Sequence, residues 1–179
     1  MEIIILLGVI FGIIYFAFSS TFSPIPFFPT NRKDIPLIID AMNLSNNQIV
    51  FDLGAGSGRV IFAAARKAHE LGLDTKFVAI DINIVLNVYM QLRKLFHPNG
   101  SNIEIVAADL FKYDYKKAMK KYEHAVFYMY VSPWYTDPMT QVILDTKKPA
   151  SIISYYYPVK MLRARAHIEG ENDLYTYKV

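Results

Sequence analysis

Short buried runs alternate with amphipathic runs along most of the chain. Five apolar runs of strand length carry the predicted core: "QIVFDL", "KFVAIDI", "IEIVAADL", "EHAVFYMYV" and "ASIISYYYP". Segments with helical spacing separate them, namely "DIPLIIDAMNL" before the first run and then "GRVIFAAARKAHEL", "IVLNVYMQLRKLF" and "PMTQVILDTKK". The tail alternates in two stretches around residues 170–172, which predicts a hairpin. The order predicts an α/β fold with a doubly wound, mostly parallel sheet of seven strands that ends in an antiparallel hairpin.

The N-terminal segment does not follow this alternation. The chain carries no charge between Glu2 and Arg32, and the run from Ile3 to Phe18 is almost wholly apolar. A helix that crosses a bilayer needs about 20 apolar residues. We predict a retained transmembrane helix, with a membrane anchor at residues 1–24 and one domain at residues 25–179. A cleaved signal peptide and a buried core helix are the alternatives, and a signal peptide usually has basic residues before its apolar run.

The charges that flank the apolar segment predict its orientation. Glu2 precedes the segment, whereas Arg32 and Lys33 follow it. Basic residues favour the cytoplasmic side of a membrane, so the single-pass anchor is expected to leave the domain in the cytoplasm. The "SPIPFFP" stretch between them predicts a stiff, extended connector, because each proline fixes its own φ angle and restricts the preceding residue.

Composition excludes several kinds of site. The formal net charge is +3, which predicts no nucleic-acid partner, and the chain has no cysteine. Four histidines are scattered without paired spacing, so we expect no metal. A lysine-rich segment at residues 116–121 is either a solvated helix face or a surface attracted to anionic lipid.

A glycine-rich turn follows the first predicted strand. Asp52 is followed by Gly54, Gly56 and Gly58, with Ala55 and Ser57 between them. Glycine permits positive φ and lets a ligand approach the main chain. A dinucleotide-binding turn has a small residue where this chain has Arg59, and a carboxylate so near the turn would repel pyrophosphate. S-adenosylmethionine, which has an ammonium group and no phosphate, suits the turn better.

Acidic residues end the next two predicted strands. Asp81 ends the second strand, where a carboxylate can accept both hydroxyls of a ribose. Asp109 and Leu110 end the third, where they are expected to meet an adenine amino group and ring. The alternatives are structural: Asp81 as a helix cap, and Asp109 as part of a turn. Their common position at successive strand ends favours the ligand.

These motifs resemble those of the class I methyltransferases, which have a Rossmann-like sheet of seven strands. The stretches "VFDLGAGSGR", "VAIDIN" and "VAADLF" are similar to three of their cofactor motifs. The anchor, "PFFPT" and "SYYYPV" look like the membrane-associated protein lysine methyltransferases, some of which modify ATP synthase subunit c and the adenine nucleotide translocase. One departure is Asp81, where that group is expected to have Glu. The resemblance implies that S-adenosylmethionine contacts Thr30, Asp52, Gly54, Ala55, Gly56, Ser57, Gly58, Asp81, Ile82, Asp109 and Leu110.

The residues that bind the methyl acceptor are expected directly after the fourth strand. Many amino methyltransferases have a polar-Pro-Pro-aromatic element there, which this chain lacks. Tyr130, Ser132, Pro133 and Trp134 occupy the place, and aromatic faces attract cationic amines. The alternative is an amphipathic or membrane-interface rim. The "FFPT" stretch either folds over the methionine end of the cofactor or is plain connector.

The favoured function is a membrane-anchored protein lysine N-methyltransferase that acts on a membrane protein. The first alternative is a methyltransferase for a lipid, a quinone or another small membrane molecule, because the same anchor suits it. A scaffold that has lost catalysis is disfavoured by the intact turn and carboxylates. A nicotinamide-dependent oxidoreductase is disfavoured by Asp52 and Arg59.

Overall fold

The computed structural model describes residues 2–22 and 28–179, with the backbone alone at residues 13–22. The first helix, α1, spans Glu2–Phe22. Within these described residues, no helix combines the length and the apolar character needed to cross a membrane. The end of the predicted anchor, at residues 23 and 24, lies outside the described residues, as do Phe27 and most of the proline-rich connector.

Seven strands form one sheet, as the alternation predicts. Their order is β3-β2-β1-β4-β5-β7-β6, and the first five are parallel. The last two run antiparallel, with β7 inserted between β5 and β6. The strands are β1 (Gln48–Leu53), β2 (Lys76–Asp81), β3 (Ile103–Ala107), β4 (His124–Met129), β5 (Ala150–Tyr155), β6 (Ala166–Ile168) and β7 (Leu174–Lys178).

The helices after α1 connect these strands. They are α2 (Ile35–Met42), α3 (Arg59–Glu70), α4 (Ile84–Leu95), α5 (Tyr115–Ala118) and α6 (Pro133–Asp145). The lysine-rich segment is only partly α-helical, since α5 continues as a 3₁₀ turn over Met119–Lys121. The predicted start of α6 near Pro138 is wrong. The helix begins at Pro133, where the missing N–H costs no hydrogen bond, and Pro138 lies inside it.

Each face of the sheet carries its own apolar core. The α2, α3 and α4 side is packed around residues such as Val50, Phe62 and Tyr128. The opposite side holds Phe51, which stacks on Phe127 with ring centroids 4.8 Å apart. Because side chains alternate along a strand, Asp52 points to the first face, two residues after Val50.

A segment before α2, here called the strap (residues 28–34), lies against the ends of β4 and β5. The Thr30 hydroxyl is 2.8 Å from the Tyr128 hydroxyl, and Arg59 Nη1 donates to the Thr30 carbonyl at 2.8 Å. The Asn31 N–H donates to the Tyr155 hydroxyl at 3.4 Å. Three elements distant in sequence therefore hold the strap in place.

Asp34 fixes the end of the strap to the C-terminal hairpin. Its side chain is 2 % exposed and accepts hydrogen bonds from the Tyr155 hydroxyl (2.5 Å), the Glu171 N–H (2.7 Å) and the Asn172 N–H (3.1 Å). Burial raises the pKa of Asp34, but the hydrogen bonds outweigh burial, and the pKa is lowered from its ordinary value. Asp34 is therefore a buried anion whose charge is held by donors from β5 and the hairpin.

Replacing Asp34 with alanine is expected to destabilise the protein by about 3 kcal/mol, because buried donors lose their acceptor. Asp40→Ala removes an exposed carboxylate from neighbouring α2 and is the matched control, with an expected change within about 0.5 kcal/mol. Urea unfolding followed by circular dichroism measures both. Equal midpoints for the two variants would contradict the assigned role of Asp34.

Candidate functional site

The glycine turn lies where the strand order of the sheet reverses. The chain adds β2 and β3 on one side of β1, and β4 and β5 on the other, so the crevice at the carboxyl ends opens between β1 and β4. All three glycines have positive φ: 76° at Gly54, 57° at Gly56 and 71° at Gly58. No atom lies within 4 Å of the place that a Cβ of Gly54 would occupy. A residue other than glycine would be strained at these φ angles, while the space beside Gly54 is open to a ligand.

Gly58 is needed for packing inside the protein. A Cβ at this position would lie 2.7 Å from the Phe62 ring and 2.9 Å from Met90 Sδ. The turn is also tied to β2, because the N–H groups of Gly54 and Ala55 both donate to the Ile80 carbonyl, at 2.9 and 3.0 Å. The shape of the turn is therefore set by α3, α4 and β2 together.

Asp81 joins the glycine turn to the loop after β2. One carboxylate oxygen accepts from the Gly56 N–H at 2.7 Å and the other from the Asn83 N–H at 2.8 Å. The helix-cap alternative for Asp81 is wrong, since the Asn83 side chain caps α4 by accepting from Val85 and Leu86 N–H. Asp81 is 9 % exposed, and each carboxylate oxygen retains a further lone pair for an outside donor.

Asp52 lies on the same sheet face as Asp81 and is 3 % exposed. Burial, and next the neighbouring Asp81 carboxylate, raise the pKa of Asp52 to about 7. Burial also raises the pKa of Asp81. No lysine, arginine or histidine forms an ion pair with either carboxylate among the residues described. The crevice therefore favours a ligand that brings positive charge or hydroxyl donors.

Asp109 lies farther from its strand than predicted, because β3 ends at Ala107. Its carboxylate accepts from the Phe111 N–H at 2.9 Å and lies 3.7 Å from Lys112 Nζ. The turn alternative for Asp109 is thus realised, with the carboxylate still partly exposed. Leu110 is buried, and Ile82 is 45 % exposed beyond the end of β2.

The predicted acceptor residues divide between two places. Tyr130 packs edge-on against Tyr155, with ring centroids 4.9 Å apart, on the core side that faces α2 and α3. Trp134 is 67 % exposed on the first turn of α6 and neighbours Tyr135, which packs on the opposite core. Ser132 precedes α6 without a side-chain capping bond, and Pro133 is its first residue. The structure does not bring Tyr130 and Trp134 together.

Residues missed by the sequence reasoning support the turn and the strap. Arg59, considered only as an obstacle to a dinucleotide, holds the Thr30 carbonyl. Arg93 Nη1 donates to the Ser57 carbonyl at 2.6 Å, and its guanidinium lies 4.3 Å from the centre of the Phe62 ring. Both arginines act across more than 28 residues, so no local pattern reveals them.

No group of three or more metal-ligating side chains occurs within the parts of the chain that the structure describes. The candidate chemistry lies in three elements, namely the glycine turn, the Asp52–Asp81 pair and the tyrosines that follow β4 and β5.

Two solved structures similar to this chain are described as methyltransferases. An RNA methyltransferase from Salinibacter ruber, in complex with S-adenosyl-L-homocysteine, has a TM-score of 0.69 at 17 % identity, over 84 % of this chain and 93 % of that one. A methyltransferase from Geobacter sulfurreducens, bound to the same compound, has a TM-score of 0.54 at 16 % identity, over 79 % and 55 % of the two chains. This chain has the class I methyltransferase fold.

Sequence comparison reaches a smaller part of the chain. A protein-lysine N-methyltransferase from Saccharolobus islandicus is 34 % identical over 59 residues. The matched segment spans 33 % of this chain and 34 % of that relative. No family model matches the chain.

Asp52 should make stability depend on pH. Its pKa is about 7 in the folded protein and 3.8 in the unfolded chain. Between these two pH values the folded protein keeps the Asp52 proton, whereas the unfolded chain has lost it. Stability is therefore lost as the pH rises from about 4 to 7. Asp52→Asn removes the titration and is expected to stabilise the unliganded protein at pH 8 by up to about 4 kcal/mol.

Denaturant unfolding of the wild type and Asp52→Asn at pH 5, 7 and 8 measures this effect, and the gap between the two should widen with pH. Asp145→Asn, an exposed carboxylate at the end of α6, is the control and should follow the wild type. A constant gap across this pH range would show that Asp52 does not titrate in it.

Proposed function

We propose that the protein is an S-adenosylmethionine-dependent methyltransferase. The observation that carries this proposal is the crevice between β1 and β4, where an open turn of positive-φ glycines faces two buried carboxylates without a protein cation among the described ion pairs. The shared fold of structures that hold S-adenosyl-L-homocysteine supports the same ligand. When bound, S-adenosylmethionine supplies the methyl group on a sulfonium.

The residues present fit such a ligand. The missing Cβ of Gly54 leaves room for a ligand against the turn. The remaining lone pairs of Asp81 can accept the two ribose hydroxyls, and Ile82 and Leu110 offer apolar surface to adenine. An ammonium group beside Asp52 would lower its raised pKa and keep the carboxylate charged.

The turn is less suited to a nicotinamide dinucleotide. A pyrophosphate would approach Asp52 and Asp81 with like charge, and Arg59 and Arg93 each donate from Nη1 to a backbone carbonyl, of Thr30 and Ser57. These two hydrogen bonds hold the strap and the glycine turn, and the like charge of the two carboxylates is what disfavours the pyrophosphate.

We further propose a protein lysine as the acceptor. The partial match to a protein-lysine N-methyltransferase supports it, as do the aromatic rings at the ends of β4 and β5. The lysine must arrive as a neutral amine, and a slot with low polarity favours that form. The chain needs no dedicated base, because the proton can pass to water.

Membrane association is part of the proposal. The described side chains of α1, at residues 2–12, are all exposed, and they include Ile3, Leu6 and Phe11 at 73 %, 59 % and 69 %. Apolar side chains exposed in this way suit a lipid environment. We propose that α1 attaches the protein to a membrane, with the catalytic domain in the cytoplasm and a membrane protein as substrate.

Asp81→Ala is expected to weaken binding of S-adenosylhomocysteine by about 100-fold, because the ribose loses its acceptor and the Gly56 N–H loses its partner. Isothermal titration measures the affinity, and Asp145→Ala should bind like the wild type. Wild-type protein that binds NADH and not S-adenosylhomocysteine would overturn the cofactor assignment.

Transfer is tested by incubating the protein with tritiated S-adenosylmethionine and membranes, then separating protein from lipid. Label is expected in protein, and acid hydrolysis should recover it as methylated lysine. Label in the lipid fraction would favour the small-molecule alternative, while Asp81→Ala gives the background.

Deleting residues 1–24 is expected to move the protein from the membrane pellet to the supernatant. Tethering raises the concentration of a membrane substrate near the site, so labelling of membrane protein should fall by about 100-fold. The truncated protein should still bind S-adenosylhomocysteine, which controls for folding. Full-length protein recovered in the supernatant would contradict attachment.

A further inference from the structure

We propose that Tyr130 and Tyr156 form the binding site for the acceptor amine. This inference rests on the proposed methyltransferase function and assigns the acceptor slot to the residues that directly follow β4 and β5 rather than to Trp134. The relevant cluster of rings, here called the tyrosine cluster, consists of Tyr130, Tyr155, Tyr156 and Tyr157.

Tyr156 has a backbone conformation that its side chain disfavours. Its φ is +74°, in the left-handed region where residues other than glycine, asparagine and aspartate are rare. Its N–H donates to the Asp173 carbonyl at 2.7 Å, so the turn itself needs the conformation but not the ring. A large aromatic side chain kept at such a position indicates that the ring has a use.

In the tyrosine cluster, hydrogen bonds hold Tyr155 in place, and the ring of Tyr130 packs beside it, next to that of Tyr156. The Tyr155 hydroxyl is bound to Asp34 and to Asn172 Nδ2, which holds its ring in place. Tyr130 packs perpendicular to Tyr155, and the Tyr156 ring centre lies 6.4 Å from that of Tyr130. Neither the Tyr130 nor the Tyr156 hydroxyl makes a hydrogen bond within the described residues.

The cluster lies on the side of the crevice that carries Asp52. Asp52 is in register with Tyr128 on β4, and Tyr130 follows two residues later on the same face. The Tyr128 hydroxyl contacts Thr30 of the strap. Because Asp52 is proposed to face the ammonium of the cofactor's methionine, these tyrosines lie toward the end that carries the methyl group.

The chemistry of these rings suits an amine. Aromatic faces attract a cationic or methylated amine, and phenol oxygens accept a hydrogen bond from a neutral one. In the transfer step, the lone pair of the amine nitrogen forms the bond to the methyl carbon, the bond from sulfur to methyl breaks with its electron pair on sulfur, and the proton passes to water. The tyrosines position the nitrogen and are not oxidised or alkylated.

Tyr156→Gly separates recognition from stability, because glycine relieves the strain while removing the ring. It should raise the thermal unfolding midpoint by about 3 °C and lower kcat/KM for membrane-protein labelling by about tenfold or more. Tyr156→Phe keeps the ring and should retain most activity. Lys147→Gly is the matched control, since Lys147 (φ 55°) lies in the loop between α6 and β5, at the end of β5 away from Tyr156, and it should gain stability with unchanged activity.

A probe test isolates the charge preference. Nα-acetyl-trimethyl-lysine amide and its neutral analogue, with carbon in place of the ammonium nitrogen, are titrated into the full chain saturated with S-adenosylhomocysteine. The cationic probe should bind about fivefold or more tightly to wild type, and the preference should disappear in Tyr156→Gly.

Two failures are distinguishable. Loss of S-adenosylhomocysteine binding and of all labelling in the wild type would overturn the methyltransferase function itself. An active wild type with a stabilised Tyr156→Gly variant of undiminished kcat/KM, or equal binding of the two probes, would overturn the amine site alone.

Discussion

The carboxylate of Asp81 is the contact on which the crevice depends. It accepts one N–H from the glycine turn and one from the loop after β2, so a single side chain sets the spacing of two loops that come from adjacent strands. Glycine alone would leave the turn free to adopt other conformations, since it loses more backbone entropy on folding than any other residue. The anchored turn is instead prepared for a ligand before one arrives.

A second set of polar contacts closes the other side of the crevice. The buried Asp34 joins the strap, β5 and the hairpin, whereas Arg59 joins the strap to α3. The late hairpin thus has a role beyond covering a sheet edge, because it supplies two N–H donors that hold the strap beside β4. These contacts, with the hydrogen bond between Thr30 and Tyr128, hold the strap near the tyrosine cluster.

The sequence predicted what depends on local pattern. Alternating runs identified the strands and most helices, and small residues and carboxylates after those runs identified the crevice. It did not predict the Asp34 network, whose partners lie up to 138 residues apart, or the early start of α6, which a proline at its first position permits. The left-handed Tyr156 was also missed, because consecutive tyrosines look like ordinary strand residues. Long-range hydrogen bonds and backbone angles leave little trace in hydrophobic periodicity.

The electrostatics of the crevice narrow the choice of ligand more than its shape does. Two carboxylates share one buried face, and each raises the cost of ionising the other. Asp34, also buried, accepts three hydrogen bonds and its pKa is lowered, whereas the pKa values of Asp52 and Asp81 are raised. No ion pair joins Asp52 or Asp81 to a lysine or arginine among the described residues, and Arg59 and Arg93 each donate to a backbone carbonyl. An ammonium group can form an ion pair with Asp52, and two vicinal hydroxyls can donate hydrogen bonds to Asp81. A phosphate, which is an anion, would be repelled by both carboxylates.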